Sequence, residues 1–234
     1  MPMQSAVILR IPKLRERFYT VASGKDALLS LISESEVAEQ VYNSNAIENS
    51  TLTLEETEKV LLKIDLDRYI TERELFEAKN LSRVVSYIGA KAKEKELNSE
   101  LILLLHKMLL SNIRDDVAGR YRIKGEWVRV GSHIAVNPEE INTQIEKMFI
   151  EYNSKADNNV VKRIAKFHLT FENIHPFVDG NGRIGRVLNN YLLIREGYVP
   201  INIKFTDRQL YYNAFREYDT VGSTKLMESI ITKA

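Results

Sequence analysis

Residues 174–190, with the sequence IHPFVDGNGRIGRVLNN, concentrate the side chains of this chain that could do chemistry. His175 precedes a proline, and proline disfavours the helical region for the residue before it. We therefore expect a helix to end near Ile174 and the imidazole to lie in a loop. An imidazole titrates near neutral pH and suits a general base. Asp179 is a lone carboxylate of the kind that holds Mg²⁺ beside a phosphate group.

The next residues are typical of an anion site at the start of a helix. Gly180 and Gly182 permit positive φ and close backbone approach, and together with Asn181 they can point successive N–H groups into one concavity. A helix N-terminus attracts anions through its free N–H groups and its dipole. Arg183 and Arg186 follow at i and i+3, and their guanidinium groups suit phosphate oxygens.

The helix that begins here is expected to be anchored on one face and polar on the other. Asn190 extends the face that carries the two arginines. The opposite face is an apolar stripe made of Ile184, Val187, Leu188, Tyr191 and Leu192. The segment as a whole predicts a polyphosphate held over a loop–helix junction with a base beside it.

From His175 to Arg186 the sequence matches His-Pro-Phe-x-Asp-Gly-Asn-Gly-Arg-x-x-Arg, the signature of the Fic family, at every defined position. The chain therefore resembles Fic proteins over roughly residues 35–232. The resemblance implies Mg²⁺- and ATP-dependent transfer of AMP to a Ser, Thr or Tyr hydroxyl of a target protein. It assigns His175 as the base that deprotonates this hydroxyl and Asp179 as the Mg²⁺ ligand.

The same resemblance implies the contacts with nucleotide and target. Asn181 and the glycine amides would hold the α- and β-phosphates, and the two arginines the β- and γ-phosphates. The nucleotide-binding set is Gly180, Asn181, Gly182, Arg183, Arg186, Asn190, Tyr212 and Asp219, the last two near the nucleoside. Family members often have asparagine where Asp219 stands. Val128, Val130 and His133 belong to a flap that would clamp a segment of the target by strand-like pairing.

Upstream, the sequence SNAIEN holds Ser44, Glu48 and Asn49 and matches the inhibitory pattern of the family, Ser/Thr-x-x-x-Glu-Gly/Asn. Its place before the core resembles the class with an inhibitory helix, here about residues 34–48. Glu48 is expected to reach Arg186 and take the position of the γ-phosphate, because a carboxylate competes with phosphate for the same guanidinium. A partly buried pair of this kind is strong, since breaking it strands a charge.

The elements that must position these residues are mostly helical. Capping boxes predict helix starts at Ser33, Thr53 and Thr71, and Asn98 predicts another start. Pro138 suits a first helical turn, and an apolar stripe predicts a helix from Val160 to Ile174. Residues 126–136, EWVRVGSHIAV, alternate around Gly131 and Ser132 and predict a β-hairpin flap. The fold class is thus mainly all-α, a Fic-type helical bundle with a small flap.

Length and composition allow one domain of ordinary globular character. The chain has 234 residues, a net charge of +1 and no cysteine, which excludes disulfides, thiolate metal sites and a cysteine nucleophile. We expect an N-terminal helical region over residues 1–70 and a catalytic core over 71–234. The sequence has no basic patch and no long apolar run, so we expect no nucleic-acid partner and no membrane partner. We expect a cytoplasmic protein, with a homodimer left open.

Rival interpretations remain beside this one. In some relatives the inhibitory glutamate aligns a water for removal of AMP, so Glu48 is also a candidate base of a de-AMPylase. A nucleotide-responsive interaction module without turnover is a further alternative, which the intact His175 argues against. His168 is expected to be a buried structural histidine and His106 a partly buried helix residue. A zinc site at His175 and Asp179 is disfavoured, because only two ligands converge.

Overall fold

The computed structural model describes residues 2–130 and 133–234 of the chain. The helices of this part are α1 (Pro2–Ala22), α2 (Asp26–Ile47), α3 (Leu54–Leu62), α4 (Glu72–Lys91), α5 (Ser99–Leu110), α6 (Ile141–Asn153), α7 (Val160–Ile174), α8 (Asn181–Arg195), α9 (Arg208–Val221) and α10 (Lys225–Lys233). Short 3₁₀ turns at Pro138–Glu140 and Phe205–Asp207 lead into α6 and α9. The mainly all-α class is confirmed.

Local capping explains where several of these helices begin. The predicted capping boxes at Thr53 and Thr71 are both present, and the Asn98 side chain accepts from the N–H of Leu101 at 2.9 Å. The predicted start at Ser33 is wrong, because α2 is already helical from Asp26. The residues expected to form an inhibitory helix are therefore the C-terminal part of a longer helix.

The core is built around α8. This helix packs against α2, α4, α5 and α7, and nearly every residue from Asn181 to Ile194 is buried. The predicted polar face of α8 is present, but surrounding helices cover its arginines as well. α2 contributes Val41 and Ile47 to the same apolar core. The division of the chain at residue 70 stays a prediction.

A two-stranded hairpin is the β structure found in the described residues. β1 (Arg129–Val130) pairs antiparallel with β2 (His133–Ile134), with Val130 opposite His133. This confirms the predicted flap. Its predicted centre, Gly131 and Ser132, lies outside the described residues, and so does the side chain of His133. The N–H of Ala135 continues the pairing by donating to the carbonyl of Val128.

In the described residues, no helix has both the length and the apolar character that a membrane crossing requires.

Candidate active site

The loop between α7 and α8 is held by its own polar groups. His175 caps α7 with a left-handed backbone (φ 49°), and its N–H donates to the carbonyl of Phe171. The amide of Asn181 closes the loop, because Oδ1 accepts from the N–H of Phe177 at 2.9 Å and Nδ2 donates to its carbonyl at 2.8 Å. Gly180 takes the positive φ of 83° that precedes α8.

These bonds change what Asn181 has to offer a phosphate. Its side chain, expected to bind phosphate, already uses both polar atoms within the loop and is 2% exposed. What remains at this position for an anion is its main-chain N–H at the first turn of α8. The side-chain amide of Asn181 thus closes the loop, and a phosphate contact by this residue stays a prediction.

His106 forms the floor of the loop. Its ring stacks on that of Phe177, with centroids 3.6 Å apart and planes 8° from parallel. Nε2 donates to the carbonyl of Asp179 at 3.0 Å, and Nδ1 accepts from the N–H of Gly119. Burial lowers the pKa of His106 to about 4, so the ring is neutral at pH 7. The expectation of a partly buried residue is wrong, because the loop covers it completely, whereas His168 is buried as predicted.

Arg122 connects the loop to the flap. Nε donates to the carbonyl of His175 at 2.8 Å, and Nη2 donates to those of Val136 at 2.8 Å and Ile174 at 3.3 Å. Nη1 donates to the carbonyl of Glu126 at 2.9 Å. A buried guanidinium with all these acceptors fixes the backbone of the loop and of the flap segment. The sequence pattern gave this arginine no role.

Arg186 is almost fully occupied by the segment at the end of α2. Nη2 donates to Oε1 of Glu48 at 2.8 Å and to the carbonyl of Ser44 at 2.9 Å. Nε donates to Oγ of Ser44 at 2.9 Å, and Nη1 lies 3.5 Å from the hydroxyl of Tyr211. The Arg186 side chain is 7% exposed and that of Glu48 is 38% exposed. The ion pair thus has one buried partner and one that water can reach.

The backbone at the end of α2 aims Glu48 at this arginine. Glu48 caps the helix, and Asn49 turns the chain away with a φ of 67°, a conformation that asparagine tolerates better than most residues. The hydroxyl of Tyr212 donates to the carbonyl of Ile47 at 2.9 Å and holds the same turn from α9. The positive φ thus explains why the sequence pattern has Asn or Gly at the position of Asn49.

Asp179 and Arg183 pair with each other and with α4. Oδ1 of Asp179 lies 3.1 Å from Nη2 of Arg183, and Oδ2 lies 3.2 Å from Nη2 of Arg73. Nη1 of Arg183 lies 3.2 Å from Glu77. No group of three or more potential metal ligands occurs in the described residues. A single, partly exposed carboxylate fits a Mg²⁺ ion whose other ligands are phosphates and water.

A cleft of about 330 Å³ brings together many of the predicted residues. Its lining includes Glu48, Val130, His175, Gly182, Arg186, Tyr212 and Asp219. At its edge Oδ1 of Asp219 accepts from Nδ2 of Asn173 at 3.0 Å. Asn190 does not line this cleft. Its side-chain amide donates to the carbonyl of Ile201 and accepts from the N–H of the same residue. Val128 does not line this cleft.

Glu172 also lines the cleft and had no predicted role. Its Oε2 lies 3.9 Å from Nδ1 of His175, and burial raises the pKa of its carboxyl to about 8. A signal was present in the sequence, because an acidic residue in the last turn of the predicted helix, three positions before His175, lies near the loop that begins there.

Comparison with known proteins agrees with this architecture. The sequence model of the Fic/DOC family matches residues 96–193. A "Protein adenylyltransferase Fic" of Nematostella vectensis is 28% identical over 211 residues, covering 87% of this chain and 48% of that protein. One of Drosophila willistoni is 31% identical over 219 residues, covering 87% and 43%. The chain spans less than half the length of these two relatives.

A solved structure shares the fold over nearly the whole chain. The crystal structure of a Fic domain containing signaling protein from Bacteroides thetaiotaomicron superposes with a TM-score of 0.85 at 24% identity. The match covers 96% of this chain and 91% of that one. Signature and sequence relatives agree, and residues 96–193 of this chain form a domain of the Fic/DOC family.

Proposed function

We propose that this chain transfers AMP from ATP to a hydroxyl side chain of a target protein, and that Glu48 restrains the reaction. The observation that carries this proposal is the hydrogen bond of 2.8 Å between Glu48 and Arg186 in the wall of the cleft that holds His175. A buried guanidinium is a strong site for a γ-phosphate, and here a carboxylate of the same chain occupies it. The names of the two curated relatives support the same reaction.

In this reaction the target oxygen attacks the α-phosphorus of ATP. The bond from that phosphorus to the oxygen bridging to the β-phosphate breaks, and pyrophosphate leaves with the electron pair. His175 takes the hydroxyl proton as general base. The main-chain N–H groups at the start of α8 face the phosphates, where charge develops in the transition state. Arg186 would bind the γ-phosphate once Glu48 has moved away.

Asp179 is the residue that would hold Mg²⁺. The ion, when bound, neutralises phosphate charge in the transition state. Arg73 lies against the same carboxylate with a side chain that is 57% exposed, so it can turn away without leaving a buried charge. The flap would pair with an extended segment of the target through its strand-like edge, next to Val130.

The test is label uptake from ATP labelled at the α-phosphorus, with Mg²⁺ and a cell lysate. Glu48→Ala should label itself or a lysate protein, wild type should label little, and Glu48→Ala/His175→Ala should label nothing. ATP labelled at the γ-phosphorus should give no protein label that depends on the added variant, because that phosphate leaves with pyrophosphate. A folded Glu48→Ala variant that binds ATP and transfers nothing would contradict the proposal and favour a nucleotide-responsive binding module.

Glu39 offers a matched control on the same helix. Its side chain is 40% exposed and pairs with Lys204. Glu39 does not line the cleft. Glu39→Ala removes an α2 carboxylate and an ion pair as Glu48→Ala does. We expect Glu39→Ala to stay as inactive as wild type. Equal activation of both variants would mean that loosening α2, rather than freeing Arg186, releases the enzyme.

The second candidate function is hydrolytic removal of AMP with Glu48 as base. Its supporting observation is that Glu48 lines the same cleft as His175 and is 38% exposed, so water can reach its carboxylate. Proteins modified with AMP should then lose it with wild type and keep it with Glu48→Ala. This is opposite to the order expected for transfer. We also propose that the protein acts in the cytoplasm and forms a homodimer, two points that this assay does not measure.

A further inference from the structure

Glu172 is a buried acid next to the proposed base. It lies in the last turn of α7, three residues before His175, and the two side chains are 11% and 15% exposed. Oε2 of Glu172 lies 3.9 Å from Nδ1 of His175. The other carboxyl oxygen, Oε1, has no hydrogen-bond partner within the described residues. Burying a carboxyl with so few hydrogen-bond partners costs folding free energy, which indicates that Glu172 has a role in the site.

The surroundings of Glu172 leave its carboxyl little freedom. A Cβ added at Gly185 would lie 2.3 Å from Oε1, so the carboxyl rests directly against the backbone of α8. Charged and titratable groups face it from every neighbouring element: His168 from α7, Arg186 from α8, Tyr211 and Tyr212 from α9, and Glu48 from the end of α2. The carboxyl is thus fixed between α8 and the ring of His175.

We propose that Glu172 is a positioning residue for His175. Its carboxyl accepts the Nδ1–H of the imidazole, so Nε2 is the unprotonated nitrogen that takes the proton of the target hydroxyl. A hydrogen bond to one ring nitrogen decides which nitrogen carries the proton. The present 3.9 Å is longer than a hydrogen bond, and such contacts often shorten only when substrate is bound.

The carboxyl can do this in either protonation state. As a neutral acid it still accepts through its carbonyl oxygen, and as a carboxylate it also stabilises the imidazolium that forms when Nε2 takes the target proton. No proton leaves Glu172 in the transfer step itself. The proposal rests on the proposed function for its kinetic consequence, while its structural consequence, the tautomer of His175, is independent of any reaction.

The first test therefore measures the tautomer without ATP. NMR of protein with ¹⁵N-labelled histidine distinguishes protonated from unprotonated ring nitrogens, and His175→Ala assigns the signal. We expect Nδ1–H in wild type and a shift toward Nε2–H in Glu172→Met, which keeps the length of the side chain but lacks an acceptor oxygen. Nε2–H in wild type, or the same tautomer in both proteins, would overturn the inference.

Glu228 provides the matched control. It is a glutamate of α10, 9% exposed and absent from the lining of the cleft, and it accepts from Oγ1 of Thr224 at 2.6 Å. Glu228→Met also removes a buried carboxyl. We expect it to leave the His175 tautomer unchanged. A tautomer change in both variants would show that a general loss of stability, and not the contact with Glu172, changes the tautomer of His175.

The second test is kinetic and uses the Glu48→Ala background. Glu172→Met should lower kcat at least about tenfold and change KM for ATP by less than about twofold, because the base rather than nucleotide binding is affected. Glu172→Gln keeps an acceptor oxygen, so it should retain most of the kcat that Glu172→Met loses. An unchanged kcat in Glu172→Met, or an equal loss in both variants, would overturn the inference.

The two proposals fail in different ways. If Glu48→Ala transfers no AMP while Glu172→Met still shifts the tautomer, the proposed function is wrong and the positioning contact stands. If Glu48→Ala is active and Glu172→Met alters neither the tautomer nor kcat, the positioning contact is wrong and the proposed function stands.

Discussion

The loop from His175 to Asn181 and the segment from Ser44 to Asn49 meet in one cleft but are built differently. The loop is closed by contacts within a few residues, above all the two bonds between Asn181 and Phe177, and its floor is a buried ring stack. The Ser44 segment reaches Arg186 across 138 to 142 positions of sequence, and its key carboxylate is 38% exposed.

The difference indicates which part is permanent and which part is displaceable. Removing a loop contact exposes apolar surface or opens a cavity, which costs several kcal/mol. Moving Glu48 out exchanges one hydrogen bond to Arg186 for water or for a phosphate, which costs far less. A catalytic loop should be rigid so that its groups stay aligned, whereas a restraint must yield to its competitor.

The largest effect is expected from breaking the loop. Phe177→Ala removes a fully buried ring, so the free energy of unfolding in urea should fall by about 3 to 5 kcal/mol and AMP transfer in the Glu48→Ala background should be lost. Phe167→Ala on the far side of α7 is the control, with a similar stability loss but retained transfer. Glu48→Ala itself should cost less, about 1 to 3 kcal/mol, because Arg186 keeps its bonds to Ser44 and water can reach the emptied position. Equal stability losses for Phe177→Ala and Glu48→Ala would remove the contrast.

The next effect concerns the pH dependence of the loop floor. The pKa of His106 is lowered from 6.5 to about 4 in the folded protein. Between these pH values the imidazole is protonated in the unfolded chain and neutral in the folded one. The stability is fully present above pH 6.5 and falls by about 3 kcal/mol as the pH drops through 4. Urea unfolding between pH 4 and 7 measures this slope. His106→Phe keeps a stacking ring without a titrating nitrogen and should flatten it; an unchanged slope would assign the dependence elsewhere.

Two glycines of α8 give a sharper version of the comparison. A Cβ at Gly185 would meet buried atoms of Glu172 and His168, so Gly185→Ala should cost about 1 to 3 kcal/mol. A Cβ at Gly182 would meet Oε1 of Glu48 at 2.3 Å, the end of a flexible side chain, so Gly182→Ala should cost less. Gly182→Ala should instead speed amide hydrogen exchange in residues 44–50. The reverse order of stabilities would contradict a displaceable Glu48.

The smallest effect is expected at Asn49. Its φ of 67° suits glycine, so Asn49→Gly should leave stability nearly unchanged, while Asn49→Ala should cost about 1 kcal/mol. Because the turn aims Glu48, Asn49→Ala should also raise label uptake from ATP above that of wild type. Thermal unfolding and the label assay measure both. Equal behaviour of the Ala and Gly variants would mean that the backbone here does not direct the restraint.

Much of the fold was predictable, because its signals are local. The capping boxes at Thr53 and Thr71 and the helix end at Ile174 depend on neighbouring residues, and all three were predicted correctly. The predicted start at Ser33 failed because a local cap pattern cannot reveal that a helix has begun earlier. The burial of the polar face of α8 could not be predicted, because the helices that cover it are distant in sequence.

The sequence by itself determined the chemistry on offer: an imidazole before a proline, a glycine-rich turn into a helix, two arginines and an upstream glutamate. Each follows from residue type and short spacing. Only the tertiary structure decided how these groups are used, since packing brings Ser44 and Glu48 to Arg186, Glu77 to Arg183 and Glu172 to His175. Burial then sets the charge state of His106 and Glu172, because the cost of desolvating a charge depends on what surrounds it in space.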